Sequence, residues 1–198
     1  MNAQEFTETV RTAHETPLSR LGSSKWVYAL TDGDMTGDAV ETAWARDSSA
    51  AHETFSAWAD DESDDDARSV FGAVAESFDA DPSTAEPRPT YDVLDALDDT
   101  ATRAGGLLAW TLVTEKTLAQ MVGFFVGDAN PKTADTFREY KRENKDRLST
   151  AEELLDILCD TADDWDRARD GTDRVVEAAY DDYVETLESM GIKPKNVC

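Results

Sequence analysis

Residues 104–139 read AGGLLAWTLVTEKTLAQMVGFFVGDANPKTADTFRE, and the spacing of their apolar side chains decides the fold. Leu108, Leu112, Glu115, Ala119, Val122 and Val126 fall three or four apart, in one row along a helix face. GDANP stops that helix: Gly127 suits a left-handed cap, and Pro131 suits the first turn of the next helix. Two long helices joined by so short a turn pack antiparallel. The adjacent Gly105 and Gly106 either bend the first helix or admit a close neighbour. Thr111, Thr114, Glu115, Lys116, Thr117 and Gln120 interrupt the apolar run, so it does not read as a membrane span.

Helical spacing continues in both directions, and no strand-like alternation persists. Upstream, the helix of the quoted stretch extends back to about Tyr91. Before it comes ADPSTAEPRPT (80–90), a loop with three prolines. A third helix follows the acidic cap DDESDDD and carries Val70, Phe71, Val74, Ala75 and Phe78. A second runs from about Asp38 to Ala59, with Val40, Ala43, Trp44, Ala51, Phe55 and Trp58 inward, behind the turn TDGDMTGD. The first helical region covers Ala3 to Leu30 and is broken or kinked near Pro17. Downstream, a fifth helix is predicted over Lys132–Leu158 and a sixth over Ala162–Met190, ended by Gly191 and followed by a flexible tail, 192–198. The pattern predicts one all-α domain, 1–198: an antiparallel four-helix bundle with additional helices.

The 198 residues include 43 acidic and 19 basic side chains, a net charge of −24, with 27 Asp over 16 Glu and 12 Arg over 7 Lys. Short carboxylates hold water and cations, and few lysines means few exposed methylene stems. Self-repulsion at this charge is strong in dilute salt and nearly vanishes in molar salt, where the Debye length is about 3 Å. The composition predicts a halophilic cytoplasmic protein. It disfavours nucleic acid, whose phosphates need a basic stripe. The densest basic run, Arg138, Lys141, Arg142, Lys145 and Arg147, is interleaved with Glu139, Glu143 and Asp146 and reads as a solvated face with ion pairs. The first residues lack a signal-peptide pattern. Cys159 reads as a small buried hydrophobe and Cys198 as part of the tail; neither belongs to a CxxC motif.

Catalytic chemistry has few candidates. His14 and His52 each precede a glutamate, but neighbours in sequence point about 100° apart on a helix and do not converge on one ion. Both read as surface histidines beside acids. Glu115 sits in an apolar row, which predicts partial burial and a partner such as Arg, Tyr, His or a metal. Glu115 and His52 are the metal candidates. Glu139 and Glu143 read as surface ion-pair partners. A carboxylate-bridged two-metal bundle needs Glu-x-x-His on two helices, and the chain contains none. P-loop, GxGxxG, nucleophile-elbow and HExxH patterns are also missing.

HETPLSRLGSSKWVYALT (14–31), AHETFSAWAD (51–60), VFGAVAESF (70–78), residues 104–139 and YVETLESMGIKPKNVC (183–198) resemble haloarchaeal proteins grouped with the rubrerythrins of the ferritin-like superfamily. The resemblance covers most of the chain and implies an antiparallel four-helix core. Rubrerythrins proper use a di-iron site in peroxide reduction, with a run F-x-x-x-A-E-x-E-x-x-H. Phe71, Ala75 and Glu76 match it, but the ligand Glu falls on Phe78 and the ligand His on Asp81. The resemblance therefore implies a kept shell without an intact di-iron site and with no cofactor, acting through binding or association with a homo-oligomeric or unknown protein partner. Five tryptophans leave room for such an interface. The rival expectations are an iron protein acting on peroxide and a helical chaperone or adaptor with a peptide groove.

Overall fold

A computed structural model describes residues 1–78 and 86–194. Part of the expected 80–90 loop, Asp81 and Cys198 lie outside the described residues. Among those described, nine helices and no strand are present: α1 (Ala3–Ala13), α2 (Glu15–Leu21), α3 (Ser24–Leu30), α4 (Gly37–Asp61), α5 (Asp65–Glu76), α6 (Pro89–Asp95), α7 (Thr100–Gly127), α8 (Pro131–Leu158) and α9 (Ala162–Ser189).

Side-chain caps set most of the starts. Asn2, Thr36, Asp64, Asp99, Asn130 and Thr161 each accept a backbone N–H of the first turn, answering donors that a helix leaves free. Asp99 accounts for one difference from the sequence reading. The helix expected from Tyr91 to Val126 is two helices, α6 and α7, separated at 96–99, because Asp99 caps a new start and accepts from the Thr102 hydroxyl as well as its N–H. The chain does not break at Gly105–Gly106. A second difference lies at the other end of α7. Gly127 stays helical, and Ala129 takes the left-handed conformation (φ 55°) that lets Asn130 N–H return to the Phe125 carbonyl. The first region holds three helices, and it breaks at His14, ahead of Pro17, whose ring cannot continue a helix through the preceding turn.

Helix directions follow from who touches whom. α4 meets α7 with Trp58 beside Gly106, Phe55 against Trp110, and Gly37 beside Phe125, so the two run in opposite directions. α5 returns along α4, and α8 returns along α7. α5 and α7 are therefore parallel, and the chain between them must travel the length of the bundle; α6 lies on that crossover. α9 runs parallel to α7 on the opposite side from α4, with Arg167 near Asp99 at one end and Tyr183 near Trp26, itself bonded to Thr117, at the other. α1 to α3 cover α9, α7 and α8 through Ala3 N–H to Asp156, Phe6 against Trp165 and Gln120 to the Gly22 carbonyl. One connected core takes buried side chains from all nine helices.

α7 and α9 approach so closely that glycine is required where they cross. A methyl group on Gly105 would stand 1.9 Å from the Ala168 carbonyl oxygen, and one on Gly171 would stand 2.1 Å from that of Thr102. Between them Thr172 donates from its hydroxyl to the Gly105 carbonyl, buried. At the chain's end Gly191 (φ 75°) turns residues 192–194 back onto the body. There the Pro194 carbonyl accepts from Tyr183 and Arg20, so the described part of the expected tail is tied down.

Candidate functional site

Aromatic rings fill the space between α4, α5, α7 and α8. Phe78 is buried against Trp44 and Trp110, with ring centroids 6.5 and 5.8 Å apart. Phe55 joins Trp110 to Trp58, and Trp58 continues to Phe71, all edge to face. Trp44 stacks on Tyr140 of α8 and meets Phe137. Glu76, which matches the metal-site pattern, points into solvent.

A buried cation lies against this centre. Arg147 lies 4.5 Å over the Phe78 ring with its side chain only 8% exposed. It donates Nε–H to the Ser77 hydroxyl and pairs with Glu143 at 3.3 Å, while Nη1 has no partner. Burial lowers its pKa, and Glu143 opposes that shift. The sequence placed Arg147 on a solvated face. Residues Arg138, Lys141, Arg142 and Lys145 do face outward, but Arg147 falls on the helix side turned to α5.

Beside the rings lies a cavity of about 30 Å³, room for one or two waters. Its walls are Trp26, Trp44, Phe78, Tyr91 and Trp110, and its polar groups come mainly from Asp47, Ser48 and Arg88. Arg88 packs 4.4 Å over Trp26 and pairs with Asp182 of α9. Tyr91 donates its hydroxyl to the Asp47 carbonyl and accepts from Trp110 Nε1–H. The Asp47 carboxylate has one long partner, Arg46 Nε at 3.4 Å. Desolvation raises its pKa, against the pull of Arg88 and Arg46. Burial and the neighbouring Asp47 raise the Tyr91 phenol well above its ordinary value. Ser48 Oγ and Arg46 Nη2 are buried without partners. The group can hold water or a small polar molecule, and nothing in it forms a nucleophile–base pair.

The sequence-predicted candidates are scattered. Glu115 pairs with Arg11 of α1 at 2.9 Å and is 34% exposed. Its row-mates Leu108 and Leu112 are buried, but the row climbs out of the core and ends at exposed Val126. His52 Nδ1 lies 3.0 Å from the Ala75 carbonyl of α5. His14, expected on the surface, is buried at the α1–α2 break and sits 2.7 Å from Asp173. That correction has a tertiary cause, because α9 packs over the break. Cys159 is buried, and desolvation pushes its thiol up to about 11, which suits a packing role. Glu139 and Glu143 pair with Arg142 and Arg147. Among the described residues no three His, Cys, Asp or Glu side chains converge on one point.

Asp47, Arg88 and Asp182 were not singled out from sequence. Asp47 carried a weak signal, an acid on the inward side of a helix whose neighbours Trp44 and Ala51 are core positions; Asp182, 94 residues from Arg88, carried none. Compared with protein-family models, with curated proteins and with solved structures, the chain matches none. Among the described residues no helix is long and apolar enough to cross a membrane.

Proposed function

We propose that this chain is a ferritin-like helical protein that acts by binding or association, its interior packed with aromatic rings instead of a di-iron centre. Two helix hairpins, α4–α5 and α7–α8, joined by one long crossover between parallel helices, support the ferritin-like reading. The observation that carries the functional part is Phe78: a benzyl side chain stands where the resemblance puts a ligand glutamate, enclosed by Trp44 and Trp110 and covered by the Arg147 guanidinium. The Phe78 benzyl group offers a metal ion no lone pair, and the cation over its ring repels one.

The test is anaerobic titration of the purified chain with Fe(II), followed by air, read by metal analysis and near-ultraviolet absorption. The expected result is no stoichiometric iron and no charge-transfer band. Two irons per chain with such a band would overturn the proposal in favour of the peroxide-active alternative. The chaperone alternative has less support, since the large apolar side chains exposed among the described residues are four, Met1, Met35, Val126 and Ile157.

The acid excess supports a protein adapted to high salt. Lowering KCl from molar to tens of millimolar should lower the melting temperature; an unchanged or higher value would count against that reading.

A further inference from the structure

A basic cleft of about 400 Å³ lies between α1, α7 and α8, and we infer that it binds a small molecule bearing a phosphate group. Arg11, Arg138, Lys141, Arg142 and Lys145 surround it on a chain whose net charge is −24. The carboxylates paired in or beside it are Glu115 with Arg11, Asp135 with Arg138 and Glu139 with Arg142. Lys141 and Lys145 have no ion pair among the described residues.

Two features separate this cleft from a solvated helix face. The first is the register. Arg138, Lys141, Arg142 and Lys145 stand at i, i+3, i+4 and i+7 on α8, so they form one stripe containing two like-charged i,i+4 pairs. Such pairs destabilise a helix by a few tenths of a kcal/mol each; Asp135 and Glu139 offset this at Arg138 and Arg142, and no ion pair among the described residues does so at Lys141 and Lys145. The repulsion is relieved when an anion sits between them.

The second feature is the floor. Asn144 lines the cleft and is 1% exposed. Its Nδ2–H donates to the Thr111 carbonyl at 2.9 Å, and its Oδ1 is buried without a partner. A buried acceptor left unmatched costs free energy until a donor arrives. The ligand that satisfies the whole site carries a dianionic group for the lysines and arginines and an O–H or N–H for Asn144. A phosphate ester with a free hydroxyl has that chemistry, and the cleft volume lies within the range of small-molecule sites. The inference is independent of whether the bundle interior holds metal.

Equilibrium titration of the full chain with ribose 5-phosphate, inorganic phosphate and a short DNA duplex, at a fixed KCl concentration that keeps it folded, tests this. Saturable binding of ribose 5-phosphate is expected, with inorganic phosphate weaker because it cannot reach the Asn144 acceptor as well as the lysines. K141Q/K145Q should weaken binding by at least about tenfold, since two charge-assisted contacts are lost. The same variant should melt at an equal or higher temperature, because the like-charge repulsion is gone. No saturable binding of ribose 5-phosphate, equal affinity in the variant, or binding of the duplex alone would each overturn the inference.

Discussion

In α7, residues 101–114 are buried without interruption, whereas from Glu115 onward exposed positions return and include Gly123, Val126 and Gly127. Both halves are apolar, so composition does not separate them. The first half is enclosed because α9 comes in at near-contact distance over Gly105 while α4 and α6 close the other side over Gly106, with Leu97 and Trp58 at its backbone. The second half keeps α8 along one side and the short α2 and α3 along another, and its remaining face meets water. Being apolar brings a helix to the core; being small where a neighbour crosses determines how completely the core encloses it.

Glycine substitutions test this difference most directly. Gly105→Ala or Gly171→Ala forces a methyl group into a backbone carbonyl that cannot turn aside, and each should cost about 3 kcal/mol or more in urea unfolding. A loss below about 1 kcal/mol would mean that α7 and α9 separate easily. Phe78→Ala comes next: it leaves a hole beneath Trp44, Trp110 and Arg147, with an expected loss of about 3 kcal/mol by the same measurement.

A third prediction concerns the start of α9, the helix that closes the buried half. Thr161 and Asp164 cap it reciprocally, and Thr161→Ala should cost about 1 kcal/mol. The Asp164 pKa is held below its ordinary value by the Thr161 hydroxyl and N–H, then by Arg167. Because the folded value is the lower one, the stabilisation is present above the ordinary aspartate range and is lost as pH falls through the folded value. Asp164→Asn should therefore flatten the acid limb of a stability–pH curve, and an unaltered limb would refute that assignment.

The smallest effects belong to the exposed half and have the opposite sign. A methyl group on Gly123 meets nothing within 4 Å, so Gly123→Ala should stabilise by about 0.5–1 kcal/mol. Ala129→Gly should gain a similar amount, since φ 55° suits glycine better than alanine. Destabilisation by Gly123→Ala would show that this face is covered in solution, as an interface between copies would cover it.

Much of the helix layout was legible from residues alone. The GDANP turn, the acidic start of α5 and the Gly191 stop are local chemistry, and local chemistry is written in adjacent residues. The misread boundaries were of two kinds. At Asp99 and Ala129 a capping residue was present but less conspicuous than the neighbouring glycines. At His14 and Arg147 the error concerned exposure, which depends on the helix packed opposite. The candidate site was less legible still: Glu115 was correctly suspected of needing a partner, but nothing in sequence pointed to Arg11, 104 residues away.

By itself the sequence determined that this chain forms long helices, that its surface is strongly acidic, and that it lacks the Glu-x-x-His pairs of a two-metal bundle, because each follows from composition or from spacing within one turn. Only the tertiary structure decided that Phe78 lies among aromatic rings under a guanidinium, that Asp47 and Arg88 share a cavity, and that Arg11 meets the basic stripe of α8 across Glu115. Those juxtapositions join residues far apart in the chain, and their energies arise from burial and charge proximity that exist only once the helices are packed.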